Sequence, residues 1–271
     1  MPRRLARWAT ALGAVLCIRL APARAHAQDR TPSRVFANDW SSGRTRAFLG
    51  WGAAAGSTSG TDLTVGYGKP YWTYLAFQAD ALTTRDAGMT HLRARLALVV
   101  ADLAIGWGST WSYRHTQLAR APRYASLSED GRDAARYRTF HAGLSGFIPA
   151  PYGYIDWQTE ALRVYQTDAR LAVYEEGLRA VIFPAWAFVG RLGYSYQFAS
   201  KRAAVGALAE GIYPGDRSEY VARIGPVFSW AFTPRIDVAA TVTYTLHSPD
   251  RLDVYEDLWG NIRIRYRDAT R

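Results

Sequence analysis

The side chains of this sequence best suited to chemistry are charged groups that recur at every second position. His91, Arg93 and Arg95 form one such set, Asp156, Gln158 and Glu160 another, and Asn261, Arg263, Arg265 and Arg267 a third, while Asp237 alternates with apolar neighbours in a fourth. A spacing of two puts each set on one face of an extended strand. Arg114, His141, Arg191 and Arg223 hold the same parity in their own segments, with Asp80 and Glu219 as further acids. Two chemistries suit a wall built from Arg93, Arg95, Arg114, His141, Asp156, Glu160, Arg191, Arg223, Asp237, Arg263 and Arg265. It can select a small polar or anionic solute, as rings of charged side chains do in pores. It can equally be a structural network, because enclosed charges must be paired.

Other chemistries find less support. A nucleophile needs a base within hydrogen-bond reach. None of His91, His115, His141 and His247 has a serine two positions away: His247 adjoins Ser248, and Ser145 is four beyond His141. Asp156 and Glu160 lie about 13 Å apart along a strand, too far for the carboxylate pair of a retaining glycosidase. There is no cysteine cluster and no local histidine pair at metal-ligand spacing, so neither metal nor cofactor is expected. The Gly-x-Gly steps at 66–68 and 106–108 open no helix and do not make phosphate loops; they relieve crowding in a curved sheet.

The elements that position these residues read as strands. From Arg235 to His247, Ile236, Val238, Ala240, Val242, Tyr244 and Leu246 share one face, and Asp237 shares the other with threonines. The same alternation marks 90–100, 105–116, 186–198, 219–230 and 259–267. Weaker segments at 45–54, 61–68, 71–82, 136–148, 153–166 and 169–182 bring the total to twelve, with a bulge expected at Glu175-Glu176-Gly177. Short turns are expected at 68–70, 149–152, 183–185 and 233–235, and longer loops at 83–89, 117–135, 199–217 and 248–258. The Arg-rich stretch 120–138 is read as a solvated loop, with folding over a mouth or binding lipopolysaccharide phosphates as alternatives.

Segments of 9–13 residues match a tilted strand crossing a bilayer, about 9–11 residues, and exceed the mode of about 5–6 for ordinary strands. Aromatics make up 14% of the 271 residues, including 17 Tyr and 10 Trp, as interfacial rings require. The formal charge is +10, and removing the five arginines of the first 27 residues leaves +5. The remaining arginines are interleaved with acids, unlike the dense patch of a nucleic-acid binder. Arg3, Arg4 and Arg7, the apolar run Ala9–Ile18 and Ala25-His26-Ala27 have the order of a cleavable signal peptide. The only cysteine, Cys17, falls within that segment.

In these features the chain resembles the bacterial outer-membrane β-barrel proteins. The resemblance implies an all-β, antiparallel up-and-down transmembrane barrel of about twelve strands, porin-like and located in the Gram-negative outer membrane. It divides the chain into a signal peptide (1–27), a periplasmic leader (28–44), the barrel (45–267) and a tail (268–271). It implies outer-membrane lipid, lipopolysaccharide and the barrel-assembly machinery as partners, although Tyr266 is followed by five further residues where such chains commonly end on an aromatic. The function it implies is a small channel or a structural barrel with a charged lumen. An outer-membrane hydrolase of lipid or lipopolysaccharide and a secreted soluble β-domain for binding are the alternatives.

Overall fold

The computed structural model describes residues 45–69, 73–98, 101–125, 131–165, 171–183, 186–198, 202–215, 217, 219–233, 236–250 and 258–269. The expected signal peptide and leader lie outside these residues, as does the side chain of Arg114.

The strands follow the alternation in sequence. They are β1 (Arg46–Gly56), β2 (Ser59–Lys69), β3 (Thr73–Thr83), β4 (Ala87–Ala97), β5 (Ala101–Ala119), β6 (Gly131–Ala150) and β7 (Gly153–Tyr165), then the short β8 (Leu171–Glu175) and β9 (Ala180–Ile182). They continue with β10 (Trp186–Phe198), β11 (Ala203–Tyr213), β12 (Val221–Ala231), β13 (Ile236–His247) and β14 (Leu258–Ala269). All except β8 and β9 pair antiparallel in the up-and-down order β1 to β7, then β10 to β14. Pairing of β1 with β14, from Phe48 opposite Ala269 to Gly56 opposite Asn261, closes the wall. The result is a closed twelve-stranded antiparallel barrel, which has no free edge to protect.

Which face points inward is now explicit. Leu63, Val65, Phe77, Leu92, Ile105, Trp107, Phe188, Leu192, Ile262 and Ile264 are all exposed on the outside. Their alternate neighbours Gln78, Asp80, His141, Glu210, Arg223 and Asp237 are buried inside. This is the inverse of a soluble β-domain, and it removes that alternative. No described helix is long and apolar enough to cross a membrane; the closed strand wall satisfies its backbone internally, as a membrane span must. Aromatics gather toward both ends of the exterior. Trp107, Trp111, Tyr113 and Trp186 lie toward one end, and Tyr67, Tyr196, Phe228, Trp230 and Tyr266 toward the end that carries the termini.

The stretch 120–138, read as a solvated loop, is in part strand: 131–138 extends β6, and β5 runs on to Ala119, so Arg136 and Arg138 are wall residues. Two further segments differ from the sequence reading, and they offset one another in the strand count. Residues 169–182 are not a wall strand. They hold the hairpin β8–β9, whose turn is the Glu175-Glu176-Gly177 break expected as a bulge. Residues 203–213, expected within a long loop, form wall strand β11, paired on both sides. The composition explains both. The hairpin is apolar on both faces because it is enclosed on both. The strand β11 is rich in Ala and Gly, so its two faces contrast little in polarity. Accordingly, Phe183 follows the hairpin rather than a wall strand, and the hairpin 171–182 lies at the end opposite the termini.

If the exterior meets lipid, Leu63→Arg near the middle of β2 should cost about 2–4 kcal/mol of folding free energy in a bilayer. Urea titration of the barrel in liposomes measures this directly.

Candidate functional site: a charged lumen closed by an inserted hairpin

The inward faces of the wall strands carry arginines and carboxylates on adjacent strands, so most pairs form across the ladder. On β4, Arg95 reaches Asp102 of β5 at 2.6 Å, and Tyr74 of β3 donates to the same carboxylate at 3.1 Å. Arg93 lies 3.9 Å from Asp80, which accepts from Gln78 at 2.7 Å. Across the β14 seam, Arg263 bonds Asp62 at 2.5 Å and Arg265 bonds Asp237 at 2.7 Å. On the opposite wall, Arg191 of β10 bonds Glu210 of β11 at 2.5 Å, and Arg223 of β12 bonds the other oxygen of Glu210 at 3.0 Å. Asp156 also faces inward from β7, opposite Gly193, and makes no ion pair among the described residues.

These pairs are not symmetric with respect to water. Arg93, Arg95, Arg191, Arg263 and Arg265 keep 25–39% of their side-chain surface accessible. Their partners Asp80, Asp102, Glu210, Asp62 and Asp237 keep only 3–13%. The acids are held against the wall, while the guanidinium groups reach into the bore. The wetted lining is therefore more positive than its formal charge count.

His141 belongs to a separate chain of hydrogen bonds. Its Nε2 shares a proton with Thr139 Oγ1 at 2.7 Å, and its Nδ1 shares one with Glu160 at 2.7 Å. The sequence places Thr139 and His141 beside Glu160 if 136–148 pairs with 153–166, and that pairing is present as β6 with β7. Hydroxyl, imidazole and carboxylate in this order have the connectivity of a hydrolytic triad. Thr139 is only 1% exposed, however, and is packed where a Cβ on Gly108 would collide with it and with His91. A nucleophile so enclosed does not meet a substrate. The glycines at 106 and 108 leave the room that Arg93, His91 and Thr139 occupy.

The half of the bore away from the termini is filled. The β8–β9 hairpin folds inward, and Val173, Leu178, Ala180 and Ile182 pack with Tyr137, Leu162, Val164, Val189, Ile212 and Val221 of the wall. Its turn is held from opposite sides of the barrel. Arg223 donates to the carbonyls of Leu178 and Arg179, both at 2.9 Å. Across the bore, Arg179 donates to Ser57 O at 3.2 Å and Thr84 donates to Glu176 at 3.3 Å. Tyr137 donates to Glu175 at 3.2 Å, and Glu175 accepts from the Leu178 amide at 2.6 Å. Arg223 thus lies inside the barrel beneath the hairpin, not on the open lining.

Above the hairpin, Arg217 ties the outer connections together. It grips Asp250 through both nitrogens, at 2.6 and 2.8 Å, and donates to Pro122 O at 2.8 Å and Val181 O at 3.4 Å. Its guanidinium lies over Tyr124 and Phe183, 5.5 and 5.6 Å from the ring centroids. Neither Arg217 nor Asp250 was legible in sequence, since both sit in connections without periodicity. Glu219, expected in the lumen, lies in the same region before β12 begins and pairs with Arg123 at 3.6 Å. Among the described residues no group of three or more His, Cys, Asp or Glu is placed to hold a metal.

The KdgM porin in complex with disordered oligogalacturonate is similar to this chain at 8% identity, over 81% of this chain and 98% of that one, with a TM-score of 0.43. The NanC porin is similar at 10% identity over 83% and 100%, with a TM-score of 0.40. The β-domain of the Bordetella autotransporter BrkA is similar at 14% over 82% and 98%, with a TM-score of 0.41. No family model matches the chain, and no curated protein matches it.

Glu176 makes the docked hairpin sensitive to pH. Burial, then the charges of Glu175 and Asp86, raise its carboxyl from 4.5 to about 7, against the opposing pull of Thr84 and Arg179. The docked state therefore holds a proton that a released hairpin gives up. Docking is fullest below about 4.5 and weakens as pH rises through about 7. Hydrogen-exchange protection factors across 173–181 should fall on going from acid to mildly basic pH, and Glu176→Gln should flatten that dependence. Arg217→Ala leaves Asp250 buried without its counter-ion and should cost about 3–5 kcal/mol, seen as lost protection in the same segment at every pH.

Proposed function

We propose that this protein is an outer-membrane channel for small anionic solutes, closed in the described state by its own hairpin. The resemblance in sequence, the apolar exterior and the closed wall support delivery by a signal peptide and insertion by the barrel-assembly machinery into a Gram-negative outer membrane. The observation that carries the solute class is the asymmetry of the lumen pairs, in which arginines face the bore and carboxylates are withdrawn. Arg93, Arg95, Arg191, Arg263 and Arg265 are the lining cations in this reading, and Asp156 is a half-buried carboxylate facing the bore. His141 and Glu160 hold the wall near Arg93 and Arg191, and Arg223 anchors the closure.

A charged lining selects by sign when its groups meet the permeating ion, because the bore concentrates ions of opposite charge. A twelve-stranded wall is wider than the eight-stranded kind that side chains alone can fill. The room is taken up here by the hairpin, a separate segment that can leave without breaking a ladder between wall strands, at the loss of the short β8–β5 pairing. Release would connect the charged half of the bore to the outer end.

A second reading, a permanently closed structural barrel, is favoured by the apolar packing of the hairpin and by the buried Arg217–Asp250 grip. Planar-bilayer recording separates the two. The channel reading expects discrete conductance steps, made more frequent by deleting 171–182, and a reversal potential in a KCl gradient that reports chloride preference. Arg93→Gln with Arg191→Gln should move that reversal potential toward zero. A deletion variant that folds but never conducts would leave the structural barrel.

A further inference from the structure

The outward faces of the wall strands are almost free of charge. Among the described side chains there, only Lys69, Arg136, Arg138 and Arg163 are charged. Lys69 lies at the end that carries the termini. The three arginines sit together near the other end, on adjacent strands β6 and β7, and all are exposed.

Their placement follows from the register. Arg138 is opposite Tyr165, and Arg163 is opposite Phe140, so Arg138 and Arg163 are diagonal neighbours, about 7–8 Å apart. Arg136 is one outward position further along β6, about 7 Å away, and opposite Trp111 of β5. Arg163 sits within an aromatic row, opposite Phe140 on one side and Trp186 on the other. Trp107 packs on Phe140 with centroids 4.8 Å apart, and Phe140 on Trp186 at 6.2 Å. The Arg163 guanidinium lies 5.0 Å from the Tyr165 centroid and 5.7 Å from that of Trp186. This stacking leaves the edges of its fork free to donate. No carboxylate pairs with any of the three among the described residues.

We infer that Arg136, Arg138 and Arg163 form a binding site for the phosphates of a bisphosphorylated glycolipid of the outer leaflet. Three cations grouped on a lipid-facing surface favour an anion at the same height, and the aromatic row that Arg163 shares marks that height as the edge of the hydrocarbon. Arginine forks suit phosphate oxygens. The acyl chains of such a lipid would lie along Ala142, Ile105 and Leu144, the next outward positions toward the end that carries the termini. The inference rests on the outer-membrane reading above, since it takes the end away from the termini to be the outer-leaflet end.

The test is native mass spectrometry of the refolded full chain in detergent with lipid A 1,4′-bisphosphate, its dephosphorylated form and phosphatidylglycerol. The wild type should retain the bisphosphate in preference to both other lipids. The triple variant Arg136→Gln, Arg138→Gln, Arg163→Gln should lose it by about fivefold for each arginine, the weight of one cation beside an anionic membrane surface. Lys69→Gln should change nothing. Heat-modifiable gel migration reports whether each variant has folded, and the single variants, which alter only exposed positions, carry the test if the triple does not fold. Equal retention of the dephosphorylated lipid, equal or tighter retention of phosphatidylglycerol, or unchanged binding by the variants would overturn the site. Conductance is read separately: a wild type that binds lipid A through its phosphates yet never conducts loses the channel and keeps the lipid site.

Discussion

Closure of the backbone ladder is the constraint on which the rest of this structure depends. Where lipid surrounds a wall, an unpaired amide or carbonyl has no water to turn to, so every strand must be paired on both sides. Here β14 returns to β1 and β7 reaches past the inserted hairpin to β10. Once the wall is closed, alternation leaves only two destinations for side chains. Most Leu, Ile, Phe and Trp of the wall take the outside, and Arg, Asp and Glu face one another across a confined bore, except where Leu162, Val164, Val189 and Ile212 meet the hairpin. The ion pairs of the lumen are thus a consequence of closure as well as a support for it. Adjacent strands bring opposite charges within reach, and the arginine, being longer, extends past the carboxylate into the free space.

The same wall explains why the hairpin can be held inside. It contributes no ladder to the barrel proper beyond the short pairing of β8 with the outer end of β5. Its stability comes from apolar packing against Leu162, Val164, Val189 and Ile212, and from polar grips on both sides of the bore. Arg223 bonds to backbone carbonyls of its turn, while Ser57 and Thr84 meet Arg179 and Glu176 from across. Two carboxylates sit in that turn, and Glu176 has no counter-ion within bonding distance among the described residues. An element bound in this way separates wall stability from bore closure, which a continuous wall strand would not allow.

The wall strands with strong contrast between faces, such as 236–247 and 186–198, are readable because one side meets lipid and the other meets charge. That contrast fails where both faces share an environment. The hairpin residues Ala172, Val173, Tyr174, Val181 and Ile182 are buried all round, so their alternation carries no sign of whether they belong to the wall. In β11, Ala204, Gly206, Ala207 and Ala209 are too small to mark either side. The identity of an individual partner was hidden for a different reason. Arg217 and Asp250 are 33 residues apart in chain order, in segments without periodicity, and only the gathering of the outer connections brings them together. Thr139, His141 and Glu160, by contrast, share a face by parity once β6 pairs with β7, and their contact was readable from the alternation.

What the amino-acid order determined by itself is the period of two, the spans of about ten residues and the segregation of charge to one face of each span. Those are local properties, set by the geometry of an extended backbone and by the side chains it displays. Which face encloses the bore, which residues pair across it and that one hairpin turns inward to fill it were decided only by the tertiary structure. An isolated alternating strand is equally consistent with a greasy interior or a greasy exterior. The choice is seen when the twelve strands close, with Leu, Ile and Trp exposed outside and the paired charges and one hairpin enclosed.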